Sequence, residues 1–294
     1  MIHVFFVPGM FGSTIEYVLR NFTSEFDSID AQILSDGSMH SFKKNSHWLS
    51  IKEIESAYRN CQTTRDISTP IYPFENHHFP DILKTFLSFA DPNDKKILIY
   101  ARDIESAELN MLFQYHKIAF GTSSKLGLSI FFDQLEKSFT NWNPLYTSWN
   151  DMKHWEIREW FSLFYPVWIQ EWINSVDQVD GTFLKISNDQ ILDCPEQSFQ
   201  QILEYCNLTV VPGLDTFAKK WSSSQQYIVD EYTLTLKIVD SIMLSKPLEW
   251  ENLSLVAEAI VQQRLRTLGY EIRCDGLNTF PTDSKTLYNL LEKV

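Results

Sequence analysis

The sequence predicts an α/β fold in which a mostly parallel central sheet lies between two layers of helices. Ile2 with residues 4–7 forms a short apolar run, and residues 97–101 form a continuous one. Both are rich in β-branched and aromatic side chains, which is typical of strands buried on both faces of a sheet. Helical patterns follow both runs, and strands that alternate with helices give a three-layer architecture. No internal repeat or low-complexity stretch divides the 294 residues, so we predict a single domain over residues 1–294.

The first strand ends at Pro8-Gly9, and a helical pattern of apolar residues begins at Gly12. Ser13 and Thr14 stand where an N-cap belongs, so we expect backbone N–H groups and the helix dipole to face the loop. This arrangement is typical of an anion site, although a plain strand-to-helix turn has the same pattern. If the loop binds an anion, a bulky residue at position 12 is expected to block ligand entry with little loss of fold.

The remaining elements follow from the same two patterns. Further strands are expected at residues 30–34, 70–74 and 182–187, and helices at residues 51–61, 80–90, 103–120, 152–176, 195–206, 225–245 and 251–268. Pro80 and Pro195 open their helices, and Gly269 closes the last long one as a C′ glycine. Residues 225–294 therefore form a helical C-terminal extension of the domain, which ends in one edge strand and a short terminal helix.

Composition restricts the class of ligand and the location. The formal net charge of −13 argues against a nucleic-acid or anionic-membrane surface, because both need clustered Lys and Arg. The four cysteines are widely spaced without a CxxC pair, which indicates reduced thiols, a cytoplasmic protein and no zinc site. No apolar run approaches the ~20 residues of a membrane helix, and the first strand follows Met1 directly, so we expect neither a membrane span nor a signal peptide.

Three strand ends are expected to meet at one edge of the sheet. They are the loop at residues 8–14, the turn at His77-His78, and Arg102 at the end of the central strand. Ligands of open α/β sheets bind at this edge. An arginine that closes an apolar strand needs an anionic partner, which is either a ligand or the neighbouring Asp103.

These parts, in this order, resemble the sulfotransferase family of P-loop proteins. The segment His78-Phe79-Pro80 is similar to the family's histidine turn, the strand ending in Arg102 to its later strand, and residues 184–208 to its strand, acidic turn and helix. The resemblance implies that one loop holds the 5′-phosphosulfate of 3′-phosphoadenosine 5′-phosphosulfate (PAPS), through Gly9, Met10, Phe11, Gly12, Ser13 and Thr14. It implies that Arg102 and Asn110 bind the 3′-phosphate, with Asn110 standing where the family has serine.

The resemblance further implies an enzyme that transfers a sulfuryl group from PAPS to a hydroxyl of a carbohydrate or another small acceptor. His78, or less favourably His77, is then the general base. Separately, no histidine has a partner at metal-ligand spacing, so we expect no metal site. The loop has no lysine where the family usually carries one, and Lys43 or Lys44 is the candidate substitute. Alternative interpretations are a polar turn at the two histidines, an Asn110 that faces solvent, and a catalytically inactive protein of this fold that binds a nucleotide or glycan. A lysine-less P-loop kinase is a third function, which no strand ending in aspartate supports.

Overall fold

The computed structural model describes residues 1–6, 11–26, 28, 43–44, 47–48, 55, 59, 67–68, 79–121, 183–244, 254–272 and 291–293. Contacts divide the chain into two compact units, residues 1–141 with 170–224 and residues 142–169 with 225–294. The extension predicted from residue 225 onward falls in the second unit. The single domain over residues 1–294 stays a prediction.

The first unit contains a four-stranded parallel sheet. Its strands, in the order in which they pair, are β4 (Ile67–Ser68), β1 (Ile2–Phe5), β5 (Lys95–Tyr100) and β6 (Phe183–Ser187). The register sets Val4 of β1 opposite Ile97 of β5, and Ile97 opposite Leu184 of β6. The α/β class, the parallel sheet and the interior position of the 97–101 run are thereby confirmed. Lys43–Lys44 (β2) and His47–Trp48 (β3) form a separate antiparallel pair.

Helices connect and flank these strands. They are α1 (Gly12–Asn21), α2 (Phe79–Phe89), α3 (Ile104–Gly121), α4 (Asn188–Asp193), α5 (Pro195–Tyr205) and α6 (Leu214–Met243). Five of the six were predicted within a few residues at one end or both, and α4 was not predicted. The sequence predicts the start of α6 eleven residues too late. The reason is that the polar run at Ser222–Ser224 interrupts the apolar pattern by which a helix is recognised. Ring contacts of Phe199 with Phe217 and with Trp221 pack this first part of α6 on α5.

The core of the first unit is built on β1 and β5, whose central residues are buried. The ring of Phe5 packs edge-on against Phe86 of α2 and Phe183 of β6, with centroids 4.9 and 5.5 Å apart. The helix α1, which follows β1 in the chain, adds Val18 and Leu19 to the core, and both side chains are completely buried. Aromatic side chains bury the largest apolar areas, so these rings contribute much of the stability of the sheet.

A buried polar network closes the amino-terminal edge of the sheet. His3 Nε2 lies 2.9 Å from Asp94 Oδ2, and Lys96 Nζ donates to the carbonyl oxygens of Asp91 and Asp94 at 2.9 and 3.0 Å. Burial lowers the pKa of both His3 and Lys96, although Asp94 opposes the shift in each case. Because these groups satisfy one another, the opposite edge of the sheet is the better place for a ligand.

The second unit contains the remainder of α6, α7 (Leu255–Thr267) and an antiparallel pair of β7 (Tyr270–Ile272) with β8 (Leu291–Lys293). Ser254 caps α7 by accepting from the Ala257 N–H at 3.3 Å. The predicted C′ glycine is confirmed, since Gly269 has a φ of 81°. The predicted terminal helix is wrong at residues 291–293, where backbone pairing with β7 outweighs local helix propensity.

Several sequence predictions lie outside the described residues, namely those for residues 30–34, 70–74 and 152–176 and most of 51–61. No helix among the described residues combines the length and the apolar character that a bilayer crossing requires. Two described cysteines are free thiols: Cys194 is exposed, and Cys206 is buried at the end of α5. Burial raises the pKa of Cys206 to about 12.

Candidate functional site

The candidate site lies at the carboxyl edge of the sheet, where parallel strands end together. There β1 continues into Phe6, β5 into Ala101 and Arg102, and β6 directly into Asn188 of α4. The helices that follow these strands begin at the same edge, so their N-terminal N–H groups are brought together with the strand ends. This is the position at which α/β proteins bind ligands.

The helix α1 begins differently from the sequence prediction. Its N-cap is Phe11, with φ 59° and ψ 15° and no capping side chain, so the predicted N-cap role of Ser13 and Thr14 is wrong. The first helical bond runs from the Ile15 N–H to the Phe11 carbonyl at 2.9 Å, which leaves the N–H groups of residues 12–14 without intrahelical acceptors. A left-handed residue followed by right-handed ones makes a concave nest of N–H groups, a geometry that binds anions. The turn therefore keeps the donors on which an anion site depends.

Aromatic packing holds Phe11 in this unusual conformation. A left-handed backbone costs a non-glycine residue about 1–2 kcal/mol. The ring of Phe11 meets Phe113 of α3 and Trp221 of α6 edge-on, with centroids 4.8 and 5.1 Å apart. Each such pair contributes about 0.5–1.5 kcal/mol beyond its buried area, so the two contacts together offset the strain.

Gly12 is required for space at the start of α1. It is buried, and a Cβ atom built on it would overlap the aromatic ring of Phe6, which is itself only 3% exposed. The glycine thus lets the helix begin directly against the end of β1. The expectation that a bulky residue here leaves the fold intact is therefore wrong.

Arg102 stands at the end of β5 between two carboxylates. Its Nη2 lies 2.8 Å from Asp189 Oδ2 of α4, and its Nε lies 3.3 Å from Asp103 Oδ2. The predicted ion pair with Asp103 is present, whereas the shorter one with Asp189 was not anticipated. The side chain of Arg102 is still 64% exposed, so an anion can approach it from solvent.

Besides pairing with Arg102, Asp103 caps the N-terminus of α3. Its Oδ1 accepts from the Ser106 N–H at 2.9 Å, and the Asp103 N–H donates to Ser106 Oγ at 3.0 Å. This reciprocal pair satisfies two donors at the helix start. Burial raises the pKa of Asp103, but the hydrogen bonds from Ser106 and Arg102 outweigh it and hold the pKa below its usual value. The Asp103 carboxylate beside Arg102 is therefore ionised at neutral pH.

Asn188 links the starts of α3 and α4. It is completely buried, and its Nδ2 donates to the Ser106 carbonyl oxygen at 2.7 Å. Asn110, two turns into α3, is also completely buried, which contradicts the interpretation that it faces solvent. Because Arg102 is largely exposed and Asn110 is not, the structure does not place the two on one surface. The binding role of Asn110 stays a prediction.

The other predicted site residues are described only in part. His77, His78, Gly9 and Met10 lie outside the described residues, as does the side chain of Ser13. Thr14 is half-buried in the first turn of α1. The backbone of the candidate lysines at positions 43 and 44 forms β2. Across the part of the chain that the structure describes, no three His, Cys, Asp or Glu side chains form a metal-binding group.

Glu16, which no sequence pattern singled out, is completely buried in α1. Its Oε1 lies 3.5 Å from Arg20 Nε, and neither carboxylate oxygen has a hydrogen-bond donor. Burial raises the pKa of Glu16 to about 7, although Arg20 opposes the shift. A Glu–Arg pair four residues apart is typical of an exposed helix face, so the sequence offers no signal of this burial.

An open cleft of about 420 Å³ lies between the start of α5 and the first part of α6. Its lining includes exposed Cys194, Lys219 and the hydroxyl-bearing Ser222 and Ser223. No buried polar side chain among its lining residues points to a particular ligand, so we assign the cleft no role.

Chemically, the edge of the sheet offers a concave group of N–H donors at residues 12–14 and a guanidinium group that two carboxylates hold in place. The N–H donors suit an anion, and Arg102 suits an anion that can compete with Asp103 and Asp189 for the guanidinium group. Comparisons of the chain with models of protein families, with curated proteins and with solved structures find no match.

Proposed function

We propose that this protein has a P-loop sulfotransferase-like fold and transfers a sulfuryl group from PAPS to a hydroxyl of a carbohydrate or other small-molecule acceptor. The observation that carries the proposal is the start of α1, where three N–H groups without intrahelical acceptors form a nest at the carboxyl edge of a parallel sheet. Arg102, exposed at the same edge, supports it as a second anion-binding group.

In this proposal the N–H groups of residues 12–14 hold the sulfonate and its bridging oxygen. Sulfuryl transfer resembles phosphoryl transfer in that charge spreads over the equatorial oxygens while the attacking and leaving oxygens lie in line. Fixed donors therefore stabilise the transition state. The acceptor oxygen forms the new S–O bond, the bond to the phosphate of PAPS breaks, and His78 takes the hydroxyl proton. Arg102 holds the 3′-phosphate, and the leaving product is 3′-phosphoadenosine 5′-phosphate (PAP).

A second candidate is a binding protein of this fold that performs no transfer. Two observations favour it: the loop has no lysine, and Asp103 and Asp189 already accompany Arg102. Weak neutralisation of the leaving group would then limit catalysis more than binding. Retention of PAP binding without transfer to any acceptor distinguishes this candidate from the enzyme.

We expect PAP to bind about ten- to a hundredfold more tightly than AMP, because only PAP carries the 3′-phosphate that pairs with Arg102. Calorimetric titration measures both affinities. Arg102→Ala should remove the preference. The matched control is Arg59→Ala, because Arg59 is also an exposed arginine in an ion pair, with Glu55. Equal affinities for PAP and AMP in the unmodified protein would overturn the proposal.

We expect Asp189→Asn to strengthen PAP binding by up to about fivefold, because it removes the carboxylate that competes for Arg102. Asp193→Asn makes the same charge change at the exposed end of the same helix and should alter PAP affinity little. The affinity for AMP provides the internal reference. An equal gain for AMP, or none for PAP, would show that Asp189 does not compete with the 3′-phosphate.

A further inference from the structure

Glu16 is a buried acid whose neighbours do not replace the hydrogen bonds that water would give its carboxylate. The side chain is 0% exposed, and neither Oε1 nor Oε2 accepts a hydrogen bond. Arg20 Nε, at 3.5 Å, is at the long end of an ion pair. An ionised carboxylate in such a place has lost its hydration without gaining equivalent donors, so its neutral form is favoured.

Its position ties Glu16 to the anion site. It lies four residues after Gly12, one helical turn or roughly 6 Å along α1. Long helical side chains lean toward the N-terminus, and Arg20, a further turn along, reaches back to Glu16 in that direction. From this spacing we expect the carboxyl group to lie about one helical turn from the N–H groups of residues 12–14.

Other charged groups on the elements packed against α1 do not compensate Glu16. On β1 the titratable residue is His3, which pairs with Asp94 at the opposite edge of the sheet. On α5 the acids Glu196 and Glu204 are exposed, and on α6, whose Phe217 ring packs on Tyr17 of α1, the charged residues Asp215, Lys219 and Lys220 are exposed as well. On α3, whose Phe113 ring contacts Phe11, Glu105 is exposed and Glu108 is a second buried acid. Within the described residues, Arg20 is thus the charged group that acts on the Glu16 carboxyl.

We propose that anion binding at the start of α1 is coupled to protonation of Glu16, so that the site takes up a proton when it binds a phosphosulfate group. The inference rests on the proposed function, because the ligand is the one proposed for this loop. An ionised Glu16 repels a bound anion through a poorly hydrated interior, whereas a neutral one does not. By linkage the effect is reciprocal, so the bound anion also favours the protonated acid.

The sign of the pH dependence follows from the pKa of about 7. Below that pH Glu16 is neutral and anion affinity is at its maximum. Above it the carboxyl ionises, and affinity falls by up to about tenfold per pH unit until the pKa of the complex is reached. Proton uptake on binding is therefore small in acid and approaches one proton just above neutrality.

Calorimetry with adenosine 5′-phosphosulfate tests this coupling, because that ligand has no group that gains or loses a proton near neutral pH. Titration in two buffers of different ionisation enthalpy gives the number of protons taken up. Glu16→Gln should bind with an affinity independent of pH and without proton uptake. Glu105→Gln, which removes an exposed acid at the start of α3, should keep both.

Arg20→Met provides a second variant that retains the acid. Loss of the neighbouring cation should move the midpoint of the pH dependence upward, since Arg20 lowers the pKa of Glu16. Binding without proton uptake in the unmodified protein, or uptake that survives in Glu16→Gln, would overturn the coupling and leave the proposed function standing. Failure of both PAP and adenosine 5′-phosphosulfate to bind would instead overturn the proposed function and, with it, the coupling.

Discussion

Gly12→Ala is expected to lower the free energy of unfolding by about 3 kcal/mol, the upper end of the usual cost of overpacking. The added Cβ would occupy the space of the Phe6 ring, which is rigid and buried. Either the ring or the start of α1 must then move away from β1. Gly12→Val should prevent stable folding of the first unit. Chemical denaturation followed by circular dichroism measures both variants.

The partner of Gly12 supplies the control. Phe6→Ala alone creates a cavity and destabilises the protein, but in the double variant the methyl group added at position 12 enters space that the ring has vacated. The two changes should therefore be strongly non-additive, with a double-mutant coupling of at least about 1 kcal/mol. A Gly12→Ala variant as stable as the unmodified protein would show that the helix does not begin against this ring.

His78→Ala is expected to reduce sulfuryl transfer by about two orders of magnitude or more, while PAP affinity remains nearly unchanged. The reason is that a general base acts on the acceptor hydroxyl in the transition state and contributes little to nucleotide binding. His77→Ala should have a much smaller effect. Single-turnover transfer from PAPS to an acceptor found by screening measures the rate, and calorimetry measures PAP binding. Full activity in both variants would place the base elsewhere.

The elements that the sequence predicted well are those whose signals are local. The apolar run of β5 is long enough to identify an interior strand, and Pro195 and Gly269 mark helix ends by backbone constraints of their own. The start of α6 and the strand Leu291–Lys293 were missed for the opposite reason. Ring contacts hold the first, and pairing with β7 forms the second, so both depend on residues distant in the chain.

The candidate site shows the same division. The turn before α1 and the placement of Arg102 follow from strand and helix patterns, and the Asp103 partner is adjacent in sequence. Asp189 reaches Arg102 only because β6 lies beside β5 in the sheet, which no local pattern reveals. The left-handed Phe11 is equally invisible in the sequence, since Phe113 and Trp221 provide the contacts that permit it.

The buried thiol of Cys206, at the end of α5, can report local opening of the first unit. Cys206 has a pKa of about 12, so at neutral pH almost none of it is the thiolate that electrophiles attack, whereas Cys194 is open to reagent. The rate at which Cys206 is alkylated, followed by peptide mass spectrometry, therefore measures how often α5 separates from the sheet. The rate of that reaction separates variants that loosen the first unit from variants that alter only its ligand chemistry.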